Sequence, residues 1–400
     1  MRSSTAPAAR RESVLLVTGA YYPEISAAGI QCRAMAAALR DRVRFGVLTT
    51  AVDPSLPALE VVEDVPVFRI ALDVRSRWSK ATATLRLVRR LLQVSRDFAI
   101  VHLHGFSQKN VPVTWLARLT GKRVVLTLHT SGQDEPDVVR RAGLIAYRSF
   151  LTADVVLPVS PGLRDAYLRA GVSPDRVRLT PNGIDTTRFH QIDTATKVAV
   201  RRDLGLPEQR PIVLFVGFFS RDKRPDLVFR AWVRARKEHG VDSTLVFVGA
   251  TKDSYYEIDE RLAREIRDAS ARSAEGDRVV FVPPTNDVAR YFQAADVFVL
   301  ASIRETNPVA LLEAMASGLP SIAARLPGAT DVIIDDGVNG RLFDVDDEAA
   351  LARTIDEILR DENAARAMGA RARDTVVSRF DSSRAAERWL AAYRDTPAPL

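Results

Sequence analysis

Residues 297–318 read VFVLASIRETNPVALLEAMASG, and this stretch indicates the fold more clearly than any other. It begins with a short apolar run of the kind that forms a buried parallel strand. Asn307 is a good helix N-cap, Pro308 suits the first helical position, and Gly318 is a natural helix terminator. The stretch therefore predicts a strand, a loop and a helix over about residues 308–317. The free N–H groups at such a helix start favour an anion at the carboxyl edge of the sheet.

The same alternation of strand and helix recurs along the whole chain. In the first half, apolar runs rich in β-branched residues occupy residues 14–18, 43–48, 65–70, 99–103, 123–128, 155–159 and 177–180. In the second half they occupy residues 212–216, 244–248, 278–282, 297–300 and 321–323. Amphipathic segments separate these runs, which is typical of a doubly wound α/β sheet. The sequence therefore predicts two Rossmann-like domains.

The length of 400 residues also favours two domains, because a single hydrophobic core stops growing at roughly 250–300 residues. The turn signal Pro181-Asn182-Gly183 separates the two series of strands. We predict a disordered tail over residues 1–12, a first domain over 13–190 and a second over 191–378. The helix within residues 379–400 is predicted to cross back to the first domain.

The composition is that of an ordinary globular protein, with 46% hydrophobic and 27% charged residues. Its apolar runs are shorter than the roughly 18 residues of a membrane-spanning helix. Residues 1–12 lack the apolar stretch of a secretory signal, so we expect a cytoplasmic protein. The single cysteine, Cys32, is expected to be a small buried residue rather than a reactive thiol.

The net charge of +7 is unevenly distributed. Residues 1–190 hold 27 basic and 16 acidic residues, whereas the rest of the chain holds 30 basic and 34 acidic residues. An anionic partner is therefore expected to meet the first half. The chain lacks helix-turn-helix, zinc-finger and RNA-binding aromatic signatures, so we expect no nucleic acid.

Residues 75–96 contain seven basic residues, no acidic residue and Trp78. Helical spacing predicts that Arg86, Arg89, Arg90 and Gln93 share one face, opposite Leu85, Val88 and Leu92. Two interpretations follow. In the first, the segment makes a peripheral contact with the inner face of an anionic membrane, and this membrane bears a lipid-linked acceptor. In the second, the segment is a surface helix that packs its apolar side on the sheet.

Two glutamates mark the predicted helix. Glu305 lies in the loop before it, and Glu313 lies in its second turn among apolar residues. A carboxylate in such company needs hydrogen-bond donors, and the two vicinal hydroxyls of a ribose would supply them. The alternative is that Glu313 meets an arginine or backbone amides and that Glu305 is solvated.

A second polar loop follows the first strand of the second domain. It includes Arg221, Lys223 and Arg224 and is predicted to open at the same sheet edge as Glu305. Lys223, and with it Arg221, is a candidate for neutralising a diphosphate. The alternative is a solvated basic turn.

In the first domain, the loop that contains Gly19 joins a strand to a helix without the G-x-G-x-x-G fingerprint of NAD enzymes. His102, His104 and His129 come at strand ends, where ligand-facing residues collect. Because His102 and His104 alternate along a predicted strand, they are not expected to face one site. No metal-binding spacing is apparent.

Taken in order, these segments resemble glycosyltransferase family four, whose members have the GT-B fold, in which two Rossmann-like domains face each other across a cleft. The resemblance covers nearly the whole chain. It rests on the loop at residues 19–29, the histidines, Pro181-Asn182-Gly183, Lys223, the spacing of Glu305 and Glu313, and Asp336-Gly337-Val338-Asn339-Gly340.

The resemblance implies a retaining, metal-independent enzyme without a cofactor. Such an enzyme moves a hexose or N-acetylhexosamine from a UDP- or GDP-sugar, its co-substrate, to a hydroxyl acceptor. The products of such transfers are glycans, glycolipids or polysaccharides. Two rivals remain open, a nucleotide-sugar epimerase of the same fold and a non-catalytic nucleotide-sugar-binding protein.

Roles are implied residue by residue. Glu305 and His129 match the family's catalytic positions near the donor sugar. Glu313 matches the ribose-binding glutamate, and Lys223 matches the diphosphate lysine. The remaining predicted donor-binding residues are Gly19, Asn307, Pro308, Val309 and Arg221, the last because Phe218 stands where the family usually has an arginine.

Overall fold

The computed structural model describes residues 11–396, except residues 25, 131, 252–257 and 274–275. The chain divides into two compact units. The first comprises Met1–Gly183 and Ser383–Leu400, and the second comprises Ile184–Ser382. The predicted tail over residues 1–12 lies mostly outside the described residues, and the first strand already begins at Glu12.

The division falls at residue 183 rather than at the predicted residue 190, and backbone pairing explains why. The N–H of Ile184 donates to the carbonyl of Phe380 at 2.8 Å, and the N–H of Ser382 donates to the carbonyl of Ile184 at 2.8 Å. These bonds attach Ile184 to the end of the second unit.

The first unit is built on a seven-stranded sheet. Its strands are β1 (Glu12–Thr18), β2 (Val43–Ala51), β3 (Leu59–Val62), β4 (Val65–Ala71), β5 (Ile100–His104), β6 (Arg123–Leu128) and β7 (Val155–Pro158). Their order is β3-β4-β2-β1-β5-β6-β7, and only the pair β3–β4 is antiparallel.

The strand predicted over residues 177–180 is wrong. A single bridge joins Val156 to Val177, and the N–H of Thr180 donates to the carbonyl of Pro158 at 2.9 Å. The segment then meets Pro181, which has no N–H to continue a ladder.

Helices cover the first sheet: α1 (Ala27–Ala38), α2 (Arg77–Val94), α3 (Asn110–Leu119), α4 (Pro136–Arg141), α5 (Leu144–Leu151) and α6 (Pro161–Arg169). Apolar side chains from β1 divide between two core clusters. Leu15 and Val17 pack with α2, α3 and α5, whereas Val14 and Leu16 pack with α1. This alternation is what a strand buried on both faces requires.

The second unit contains a six-stranded parallel sheet. Its strands are β8 (Ile212–Val216), β9 (Thr244–Val248), β10 (Val279–Val282), β11 (Val297–Leu300), β12 (Ser321–Ala324) and β13 (Arg341–Phe343), in the order β10-β9-β8-β11-β12-β13. Its helices are α7 (Thr194–Asp203), α8 (Pro225–His239), α9 (Glu260–Arg272), α10 (Val288–Ala294), α11 (Val309–Ala316), α12 (Glu348–Arg360) and α13 (Glu362–Arg379). The predicted pair of Rossmann-like α/β domains is thereby confirmed.

The last helix, α14 (Ser382–Arg394), packs in the first unit. The ring of Trp389 lies 4.7 Å from that of His102, centroid to centroid, and the Tyr393 hydroxyl pairs with His102 Nδ1 at 2.8 Å. Glu387 forms an ion pair with Arg42. The chain therefore returns to the unit in which it begins.

Candidate active site

The cap position of α11 is held by a residue whose side chain makes no capping hydrogen bond. Val309 is the first residue of α11, and Pro308 occupies the cap position with φ −68° and ψ 107°. The predicted arrangement, with Asn307 as cap and Pro308 as first helical residue, is thus shifted along the chain. The N–H of Leu312 donates to the carbonyl of Pro308 at 3.2 Å, so the N–H groups before Leu312 have no acceptor within the helix. A helix start of this kind attracts an anion.

Lys223 and Glu305 meet beside this helix start. Lys223 Nζ lies 2.6 Å from Glu305 Oε1, and the Glu305 side chain is only 9% exposed. Lys223 belongs to the loop between β8 and α8, and Glu305 to the loop between β11 and α11. The alternatives of a solvated Glu305 and a solvated basic turn are therefore wrong for this pair.

Further bonds join the same two loops. Arg304 Nη2 lies 2.5 Å from Asp222 Oδ2, and the N–H of Ile303 donates to the carbonyl of Asp222 at 2.9 Å. Sequence reasoning missed Asp222 and Arg304. The signal was present, because Asp222-Lys223 and Arg304-Glu305 are adjacent residues of opposite and complementary charge. The network fixes Lys223 and Glu305 relative to the start of α11.

Arg221 takes a different partner. Its Nε donates to Asp259 Oδ2 at 3.0 Å, and its side chain is 83% exposed. Asp259 also caps α9 by accepting from the N–H of Leu262. A contact between Arg221 and a diphosphate stays a prediction, since in this structure Arg221 joins its loop to α9.

Glu313 lies in the second turn of α11, between the fully buried Leu312 and Ala314. Among the described residues, no hydrogen-bond donor reaches its carboxyl group. Burial raises the pKa of this carboxyl to about 8, and the positive charge of Arg188 opposes the rise. The alternative of backbone amides around Glu313 therefore does not hold, and Arg188 acts only through its charge. Glu313 remains partly exposed, so a ligand that brings donors can reach this carboxyl.

In the first unit, a glycine-containing loop joins β1 to α1. Ser26 caps α1 by accepting from the N–H of Gly29 at 3.0 Å. A Cβ atom on Gly29 would lie 2.6 Å from the carbonyl oxygen of Ala20, so only glycine fits there. Around Gly19 the space is open, since a Cβ atom there would meet nothing within 4 Å. Gly19 therefore leaves room for a ligand at the end of β1.

Three histidines cluster at the ends of β5 and β6. The prediction that His102 and His104 do not face one site is wrong, because side chains two residues apart on a strand point to the same face. Their ring centroids lie 4.3 Å apart. His104 Nδ1 lies 3.0 Å from His129 Nε2, and His104 Nε2 is buried without a hydrogen-bond partner. Burial lowers the pKa of all three rings, that of His129 to about 4. His129 is therefore neutral at pH 7 and offers a hydrogen bond rather than a positive charge.

Asp134, which sequence reasoning missed, holds the backbone around His129. Its carboxylate accepts from the N–H groups of Phe106 at 2.7 Å, His129 at 2.8 Å and Thr130 at 3.0 Å. Burial raises the pKa of Asp134, and these three bonds act against the rise. The loops after β5 and β6 are thus joined through one side chain.

Lys109 is a further residue that sequence reasoning missed. Its Nζ donates to Thr50 Oγ1 at 3.1 Å, and Thr50 Oγ1 donates to the carbonyl of Gly19 at 2.5 Å. Burial lowers the pKa of the Lys109 ammonium group, and no carboxylate of the described residues pairs with it. A cation enclosed in this way beside Gly19 is suited to an anionic ligand.

Within the described ranges, no group of three or more His, Cys, Asp or Glu side chains is arranged to hold a metal ion. Cys32 is buried, as expected, and burial raises the pKa of its thiol. No helix of the described residues is long and apolar enough to cross a membrane.

Comparisons with known proteins agree with the fold. Residues 28–188 match the family described as Glycosyltransferase Family 4, and residues 197–375 match Glycosyl transferases group 1. The alpha-maltose-1-phosphate synthase of Mycolicibacterium smegmatis is 32% identical over 62% of this chain and 64% of its own. The D-inositol 3-phosphate glycosyltransferase of Acidothermus cellulolyticus is 35% identical over 57% of this chain and 50% of its own. The chain thus matches about half to two thirds of the length of these relatives.

Among solved structures, Anabaena HepE in complex with UDP and glucose has a TM-score of 0.78 at 18% identity, over 96% of this chain and 100% of that one. This likeness concerns the fold. The two family matches do not overlap, and together they span most of the described residues in both units. With its two parallel-sheet Rossmann-like units, the chain belongs to the glycosyltransferases of family four and has the GT-B fold.

Proposed function

We propose that the protein is a retaining glycosyltransferase. It moves a hexose or N-acetylhexosamine from a UDP- or GDP-sugar to a hydroxyl acceptor in the synthesis of a glycan, glycolipid or polysaccharide. The observation that carries this proposal is the Glu313 carboxyl, which no donor of the described residues reaches, in the same helix whose start lies beside Lys223 and Glu305.

The donor's nucleoside diphosphate fits this part of the second unit. The diphosphate lies at the first N–H groups of α11 and forms an ion pair with Lys223. The two ribose hydroxyls donate to Glu313, and Glu305 accepts from hydroxyls of the transferred sugar. When the glycosidic bond to the diphosphate breaks, negative charge develops on the phosphate oxygens, and Lys223 and the helix start stabilise it.

In the first unit, neutral His129 is suited to a hydrogen bond with the donor sugar. Its ring is oriented by His104, and its backbone is held by Asp134. A neutral ring does not repel the positive charge that develops at the reacting carbon. Gly19 leaves the backbone accessible to the donor at the end of β1.

Lys109 favours an acceptor that carries an anionic group. Within the part of the chain that the structure describes, its ammonium group has only a neutral hydroxyl as partner, so an anion would offset much of the desolvation cost of the charge. The names of both relatives contain a phosphate. A phosphate or carboxylate on the acceptor is therefore the group that we assign to Lys109.

The experiment is a thermal-shift screen of nucleotide sugars, followed by transfer assays with phosphorylated and unphosphorylated acceptors. UDP-glucose is the first donor to test, because UDP and glucose occupy the similarly folded HepE. NMR of the product should show the anomeric configuration of the donor. Lys109→Met should raise KM only for acceptors with an anionic group. An epimer formed from donor alone, or donor binding without turnover over a broad set of acceptors, would contradict the proposal.

A further inference from the structure

Helix α2 packs on the first unit through one face and exposes an apolar line on the opposite face. Ala83, Leu87, Leu91 and Val94 are buried in the core. Trp78, Leu85 and Leu92 recur at intervals of seven residues and are 83%, 71% and 50% exposed. Of the two interpretations of this segment, the one in which the Leu85 and Leu92 side packs on the sheet is therefore wrong, because the helix carries a second apolar stripe that meets the core instead.

Basic residues accompany this outward line. Arg86 and Arg89 are exposed in the middle of the helix, and Lys80 is exposed near its start. Arg89 lies four residues after Leu85 and is therefore its neighbour on the helix surface. Arg90 lies over the ring of Phe68, with 5.7 Å from its Cζ to the ring centroid. Residues 75–96 contain no acidic residue, so no carboxylate within the segment neutralises these charges.

Neighbouring helices of the same layer expose large apolar side chains as well. Helix α3 packs beside α2, and α5 packs beside α3. Leu119 of α3 is 82% exposed, and Leu144 and Ile145 at the start of α5 are 62% and 71% exposed. Buried residues of all three helices belong to one core cluster, so these helices cover the same face of the sheet. Leaving this much apolar surface in water is unfavourable unless something covers it.

We propose that this layer, chiefly through α2, docks on the surface of a membrane that contains anionic lipid. An apolar line with a tryptophan inserts into the interface between headgroups and acyl chains, while flanking arginines contact lipid phosphates. A nucleic acid would meet the arginines but leaves the leucines without a role. A second copy of the chain would cover the leucines but brings two basic, acid-free helices together, which repel.

The test is co-sedimentation of the full chain with phosphatidylcholine vesicles, with and without phosphatidylglycerol. The double variants W78S/L85S and R86E/R89E change only exposed positions, and the circular dichroism spectrum checks their fold. The matched charge control is R261E/R264E on α9, where both side chains are exposed. The apolar control is V61S on β3, where Val61 is 66% exposed.

The wild type and both controls should bind vesicles only when phosphatidylglycerol is present. Each α2 double variant should bind at least about tenfold more weakly. The emission of Trp78 should shift to shorter wavelength on binding, and W78F should lose that shift. Equal binding to both kinds of vesicle, no binding, or unchanged binding by the α2 variants would overturn the proposal. So would a dimer by light scattering that W78S/L85S dissociates, or binding to RNA but not to vesicles.

Discussion

Lys223 and Glu305 are 82 residues apart in the chain, and their charged atoms meet at 2.6 Å. The pair joins two loops that leave the same parallel sheet beside the start of α11. A cation held in this way is already in place when an anion arrives, so little side-chain entropy is lost on binding.

Replacing Lys223 by methionine should remove the cation and leave Glu305 without its partner. We expect kcat/KM for transfer to fall by about a hundredfold or more, because the leaving diphosphate loses its charge stabilisation. Steady-state kinetics with saturating acceptor measures the change. Arg264→Met, on the exposed side of α9, is the matched control and should stay close to the wild type. An unaltered kcat/KM for Lys223→Met would remove this residue from the donor site.

Replacing Glu313 by glutamine should stabilise the unliganded protein at high pH. The pKa of Glu313 in the folded protein, about 8, lies above the ordinary glutamate value of 4.5, so ionisation of Glu313 costs folding stability as the pH rises from about 4.5 to about 8. At pH 8.5 we expect the variant to be more stable by on the order of 2 kcal/mol, with a smaller difference at pH 5. Urea denaturation at both pH values measures this. The exposed Glu265→Gln is the control, and equal pH dependence of Glu313→Gln and the wild type would contradict the expectation.

Because His129 is neutral, we expect this ring to contribute no acid limb to the pH profile near neutral pH. Burial lowers its pKa to about 4, so the ring does not titrate between pH 5.5 and 7.5. We expect His129→Gln to lower kcat/KM by roughly ten- to a hundredfold without altering the shape of the profile in this range. A limb near pH 6.5 that is present in the wild type and absent in the variant would show that His129 acts as a titrating group.

Both sheets could be predicted because their central strands are buried on both faces and appear as continuous apolar runs. The strands that were missed, β3 and β13, are short edge strands. In β3, Leu59 and Val61 point to solvent, so no burial pattern marks the strand. The buried face of α2 could not be predicted, because the helix has an apolar stripe on each of two faces. Only the tertiary structure shows which of the two packs on the core.

The second-unit candidate site was predictable in outline because carboxyl ends of parallel strands gather at one edge. Lys223 and Glu305 follow different strands, and their contact could be expected from that rule. Lys109 and Asp134 could not be anticipated, because a lysine or aspartate in a polar loop is usually solvated. Their burial depends on how the loops after β5 and β6 fold against β1 and β2.

The most direct test is isothermal titration calorimetry of UDP binding to the wild type and to Glu313→Gln, at pH 6.5 and 8.5 and in buffers of different ionisation enthalpy. A free carboxyl with a pKa of about 8 must lose its proton to accept two ribose hydroxyls. For the wild type we expect release of nearly one proton at pH 6.5 and roughly a quarter of a proton at pH 8.5. We also expect wild-type affinity to rise roughly twentyfold more than that of the variant between the two pH values. Equal affinities and equal proton release for both proteins would show that Glu313 does not bind the nucleoside. This result would contradict the assignment of the donor site to α11.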